Sequence, residues 1–114
     1  MSDFISEQDK TDIYGYSIFE KGLQILSGKW RIRIIYILLY DGQKRYGELK
    51  RLLPGITHKM LSNELKELEK NNIINRQQYN EVPLRVEYSL TDKGEALKPI
   101  LFSLSQWILQ LDNQ

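Results

Sequence analysis

Lys59, Ser62, Asn63 and Lys66 lie within the run PGITHKMLSNELKELEKNN, residues 54–72. Two are long cations, one is a hydroxyl and one is an amide, and the last two can both donate and accept. At about 100° per residue they share one side of a helix predicted from Thr57 to Asn71, while Leu61, Leu65 and Leu68 share the other. Glu64, Glu67 and Glu69 fall off the polar stripe. A solvated helix face usually mixes signs for i,i+4 pairing. A face that meets nucleic acid must keep carboxylates from phosphate and offer donors and acceptors to base edges. In the major groove asparagine pairs with adenine, lysine with guanine, and serine with either. The chemistry on this face is recognition.

Catalysis lacks its ingredients. The chain has no cysteine, which removes disulfides, thiolate metal sites and cysteine nucleophiles, and a single histidine, His58, which is too few for a relay or a protein-only metal site. SGKW, residues 27–30, lacks the glycine spacing and the Ser/Thr after lysine of a phosphate loop. No enzyme activity, metal or cofactor is expected. The opening MSDFISEQDK is acidic and has no apolar run, so no signal peptide and no membrane partner are expected, and the expected location is the cytoplasm.

The 114 residues suit one domain that folds without staples. The formal net charge of +1 hides an uneven distribution. Residues 29–85 carry a net charge of +6, against −3 for residues 1–28 and −2 for residues 86–114. A basic middle between acidic ends fits a polyanion-binding surface.

The elements that must position the stripe follow from periodicity. Residues 1–16 read as a polar arm and 17–114 as the domain. Ile18–Leu26 reads as a helix stopped at Ser27-Gly28. KWRIRIIYILLYDG is β-branched enough for a strand, but its length and Trp30/Ile34/Leu38 spacing favour a buried helix. RYGELKRLLPG predicts a short helix with Tyr46, Leu49, Leu52 and Leu53 inward, stopped by Pro54-Gly55. Thr57 is a fitting N-cap for the next helix. A hairpin follows, with strands Ile74–Gln78 and Arg85–Leu90, the second alternating apolar Val86, Tyr88 and Leu90 with polar residues. Thr91 and Asp92 open a final helix. The expected fold is mainly α with a small β-hairpin, a winged helix-turn-helix.

The candidate contact set for double-stranded DNA extends beyond the stripe. Thr57 and His58 stand at the head of its helix, Lys44 and Arg45 precede the short helix and suit phosphate, and Arg76 and Arg85 flank the hairpin tip. Leu97, Leu101, Leu104, Ile108 and Leu111 alternate spacings of 4 and 3, a heptad-like seam. Trp107 widens it. So much apolar surface near a terminus calls for a partner, and a symmetric homodimer would set two reading helices about one DNA turn apart on a palindromic operator. Ile18, Phe19, Leu23, Leu104, Trp107, Ile108 and Leu111 are the candidate dimer residues. A winged helix serving protein–protein assembly without sequence-specific DNA binding is the alternative.

Four ordered stretches resemble the HxlR family of winged helix-turn-helix regulators, relatives of MarR-type regulators. They are GKW at Gly28–Trp30, RYGELKRLLPGIT at Arg45–Thr57, KMLSNELKELE at Lys59–Glu69 and EVPLRVEYSLTDKG at Glu81–Gly94, within a similarity spanning about Ser17 to Trp107. The resemblance implies a homodimer built by the first and last helices, a recognition helix after PGIT, and a hairpin wing. Many members carry a cysteine before the first helix, followed by proline, and some use it to sense oxidants. Here Ser17 and Ile18 stand at those positions. A hydroxyl cannot do thiolate chemistry at neutral pH, so direct thiol sensing is not expected. A signal would act through an unidentified small effector, through methionine oxidation, or through protein abundance alone.

Overall fold

The computed structural model describes Ser6, Glu7, Asp12 and residues 14–112. Most of the polar arm expected over residues 1–16 lies outside the described residues. The elements in order are α1 (Tyr16–Leu26), α2 (Arg31–Asp41), β1 (Lys44–Arg45), α3 (Tyr46–Leu52), α4 (His58–Lys70), β2 (Ile74–Tyr79), β3 (Arg85–Leu90), α5 (Asp92–Glu95) and α6 (Leu97–Asp112).

The Asp12 carboxylate starts α1, accepting from the Tyr16 and Ser17 amides, while Ser17 Oγ donates to it at 3.2 Å. Ser27 ends α1 by returning its N–H to Leu23 O at 2.7 Å. The dense apolar run is the helix α2, with Ile34, Ile35 and Leu38 buried. Its i, i+1, i+4 spacing turns all three to one side.

Leu61, Leu65 and Leu68 are the buried face of α4, opposite the polar stripe. Burying each contributes about 1.5–3 kcal/mol before chain entropy is charged against it. They join Trp30, Leu49, Leu53, Ile56, Ile73, Ile74, Tyr88 and Leu101 in one core. Asn72 ends α4 in the left-handed region at φ 62°. The Ile73 N–H reaches Leu68 O at 2.9 Å and the Asn72 N–H reaches Glu69 O at 3.0 Å, the paired bonds of a Schellman stop.

Four details differ from the sequence expectations. First, the sheet has three strands in the order β1-β3-β2, because Lys44 and Arg45 pair antiparallel with Tyr88 and Glu87. Second, β2 runs one residue further than expected, to Tyr79, which pairs with Arg85. Third, Leu52 is 48% exposed. Leu49 centres the buried side of α3; Tyr46 and Leu52 flank it about 60° to either side, and only the Tyr46 flank is covered by α4. Fourth, the last helix is two helices. Thr91 caps the four-residue α5, accepting from Gly94 N at 3.0 Å, and α6 starts afresh so that Pro99 sits in its first turn, where no backbone donor is needed.

Gly94 is buried where α5 crosses the hairpin. A Cβ there would overlap the Ile73 carbonyl oxygen and come within 2.8 Å of Leu90 Cδ2. Gly94→Ala is therefore expected to cost about 1–3 kcal/mol, as overpacking does, read as a lower urea midpoint with an unchanged slope.

Candidate nucleic-acid interface

Thr57 Oγ1 accepts from Met60 N at 3.1 Å and sets where α4 begins. From that start, Lys59, Asn63 and Lys66 are exposed and Ser62 is half-buried beside them. Among the described residues no salt bridge engages Lys59 or Lys66. Lys59 and Lys66 thus stand outside these ion pairs on either side of Ser62, whose hydroxyl meets Tyr46 at 3.3 Å.

Off the stripe, on the core side of α4, Arg31 holds Glu64. Its Nε meets Glu64 Oε2 at 3.1 Å, with both side chains 19% exposed. Its Nη1 donates to the carbonyls of Gln24 at 3.2 Å and Ile25 at 3.5 Å, at the end of α1. A guanidinium offers several donors in one plane, which suits three simultaneous partners. The ion pair turns Glu64 inward and locks α4 to the α1–α2 corner.

Tyr46 holds the head of α4. Its ring stacks on His58, with centroids 5.8 Å apart and planes 6° from parallel. Its hydroxyl lies 3.1 Å from His58 Nδ1 and 3.3 Å from Ser62 Oγ. It also lies 3.3 Å from the His58 carbonyl oxygen. Sequence reading assigns Tyr46 to the core and misses this role; the signal was its place on the flank of α3 nearest the turn.

The two wing arginines face opposite ways. Arg76 pairs in register with Tyr88, and alternation puts Arg85 on the other face of the sheet. Arg76 joins Ser62, Leu65, Lys66, Glu69 and Tyr88 around a groove of about 440 Å³ between α4 and the wing. Arg85 stacks on Tyr79 at 4.0 Å and pairs with Glu81 at 2.9 Å. Its buried Nε lies 3.4 Å from Glu87 Oε2 without hydrogen-bond geometry. Glu87 also takes a hydrogen bond from Gln43 and lies 3.7 Å from Arg45 Nε. Arg45 remains more than half exposed, whereas Lys44 binds Asp41 through its carboxylate at 3.0 Å and its carbonyl at 2.9 Å. Of the expected contacts, Lys59, Ser62, Asn63, Lys66 and Arg76 come together on one surface, with Thr57 and His58 at its head. Lys44 and Arg85 are engaged within the fold.

A short helix, a turn, a donor-rich second helix and a hairpin packed behind it define a winged helix-turn-helix protein. Within that class the chain belongs to the HxlR-like helix-turn-helix family, whose model matches residues 25–114. That family is one of transcriptional regulators. The chain is 48% identical over 89 residues to the HTH-type transcriptional regulator YdzF of Bacillus subtilis, covering 78% of this chain and 82% of the relative. The fold matches a MarR-family transcriptional regulator of Enterococcus faecalis V583 with a TM-score of 0.81 and 38% identity, over 95% of this chain and 96% of that one. It also matches the redox regulator HypR in its oxidized form, with a TM-score of 0.71 and 41% identity, over 79% of this chain and 92% of that one. Among the described residues no helix is long and apolar enough to cross a membrane.

Two outcomes are expected from this geometry. Arg31→Ala should lower stability by about 1–2 kcal/mol, reflecting partly buried charge-assisted bonds, and Arg31→Lys should recover only part of it, since a single ammonium cannot span both partners; chemical denaturation measures both. The Tyr88 phenol is pushed above its ordinary 10.0, by burial first and against the opposing hydrogen bond and charge of Arg76. An acid whose pKa is higher folded than unfolded leaves stability intact below about 10 and removes it as pH rises toward the folded value. Tyr88→Phe should flatten the loss of stability in denaturation curves taken above pH ~10.

Proposed function

We propose that the chain is a DNA-binding regulator that acts in the cytoplasm as a homodimer, with residues 17–114 as its working domain. It reads a palindromic operator with α4 and braces the DNA with the wing. The observation that carries this reading is the exposed stripe of α4, which offers Lys59, Ser62, Asn63 and Lys66 with no carboxylate among them. Thr57 and His58 present the helix head, where backbone N–H groups favour phosphate. Arg76 and Arg45 supply phosphate contacts, while Arg85 and Lys44 act by ordering the wing and its adjoining turn.

The dimer is supported by apolar surface that the fold leaves open. In α1 no residue is buried, and Ile18, Phe19 and Leu23 are exposed. In the sixteen-residue α6 only Leu101 is buried, and Leu104, Trp107, Ile108 and Leu111 are each about half exposed. The radius of gyration is 16.4 Å, against about 13 Å for a compact chain of this length. A second copy would cover these helices. A shallow apolar groove lined by Tyr36, Leu101, Leu104 and Ile108 gives a small effector a place beside that interface. With no cysteine in the sequence, thiol oxidation has no starting group, so the signal is not the thiol chemistry open to a cysteine-bearing regulator.

The test is selection from fragmented genomic DNA, run in parallel with a variant carrying Ser62→Ala, Asn63→Ala and Lys66→Ala. Wild type should enrich a two-fold symmetric motif with steeply salt-dependent affinity. The variant should lose that motif, with each good base contact worth about 1–3 kcal/mol of discrimination. Identical enrichment by both proteins would overturn the stripe as the reader, and enrichment by neither would overturn the assignment in favour of a protein-assembly module.

A further inference from the structure

We propose that Tyr46 is a positioning residue for base recognition: its buried-side hydroxyl sets the orientation and hydrogen-bonding polarity of Ser62. This inference rests on the reading of α4 as the DNA-contacting helix.

A helical serine left to itself turns its hydroxyl back to the carbonyl four residues earlier. For Ser62 that carbonyl belongs to His58. Here the Tyr46 hydroxyl lies 3.3 Å from the same carbonyl oxygen and 3.3 Å from Ser62 Oγ. One lone pair of the carbonyl serves the helix and the other faces the phenol, so the usual resting place of the serine proton is taken. Tyr46 offers the replacement partner. The phenol donates its own proton to that carbonyl, and His58 Nδ1 lies 3.1 Å from the phenol oxygen. The phenol oxygen then accepts from Ser62, whose own lone pairs are left to face outward between Lys59, Asn63 and Lys66. A free hydroxyl rotor would present either polarity to a base; the held one presents an acceptor.

The tyrosine is itself held from two sides. Its ring runs parallel to and offset from that of His58, with centroids 5.8 Å apart, and the first turn of α3 is closed around it by Glu48 Oε1 accepting from Arg45 N at 2.9 Å. The hydroxyl is therefore delivered by α3, and Ser62 is oriented by an element that presents nothing to the stripe.

The experiment measures affinities for the selected operator, its single-base-pair variants and nonspecific duplex. The proteins are wild type, Tyr46→Phe, Ser62→Ala and the double variant. Tyr46→Phe keeps the ring and removes only the hydroxyl. It should lose about five- to tenfold of discrimination at the same base pair that Ser62→Ala affects, the size of one modest base contact. The double variant should lose no more than either single variant, and nonspecific affinity and salt slope should stay at wild-type values. The ratio of specific to nonspecific affinity does not depend on the fraction of protein folded. A Tyr46→Phe profile identical to wild type, or a uniform loss on every duplex, would overturn the role of Tyr46 while leaving α4 as the reader. A wild-type protein that prefers no sequence would overturn both.

Discussion

Arg31 joins three helices with one planar group. It neutralises carbonyls at the close of α1, stands at the first position of α2, and binds Glu64 on α4. The helix dipoles make this sensible, since a cation is stabilised by the carbonyl end of α1. The consequence lies on the far side of α4. With Glu64 held on the core side, α4 turns Lys59, Asn63 and Lys66 outward. The leucine face of α4 fixes how deep the helix sits; Arg31 fixes its rotation about its own axis. A rotation of the helix by one residue step, about 100°, would bring a carboxylate to the surface that a polyanion approaches.

The wing obeys the same logic with the opposite sign. Glu87 sits in the middle strand between Arg45 on β1 and Arg85 on its own strand, so one carboxylate organises two arginines. Arg85, sandwiched between Tyr79 and two glutamates, stiffens the tip end of the hairpin. On the other face, Arg76 faces the groove beside α4, with Gln78 and Tyr88 in hydrogen-bonding reach. One arginine thus serves the fold and its counterpart is offered to a ligand. The two are distinguished by register parity.

Much of this was legible in the residues. Thr57, the Leu61/Leu65/Leu68 spacing and the Asn71-Asn72 break place α4 to within a residue, because cap, periodicity and stop are all local signals. The alternation through Val86, Tyr88 and Leu90 likewise marks β3. The features that escaped depend on partners far along the chain. Two-residue β1 has no period of its own and exists because β3 offers it an edge. Arg85 looks like a free cation until Glu81, Glu87 and Tyr79 fold around it. Tyr46 and Leu52 occupy equivalent flanks of α3 and differ only in what covers them. The break before α6 was carried by Pro99, a local signal overshadowed by the strong apolar seam behind it.

The end of α4 shows how motion is apportioned. Its last carbonyls are closed by the turn at Asn72, and Thr91 ties that turn to β3 through Oγ1 on Asn72 O at 2.7 Å and its N–H on Ile73 O at 3.0 Å. Gly94 then packs α5 into the same corner with no room to spare. α4 and the wing are in this way parts of one stiff unit. Their mutual angle is set when the chain folds.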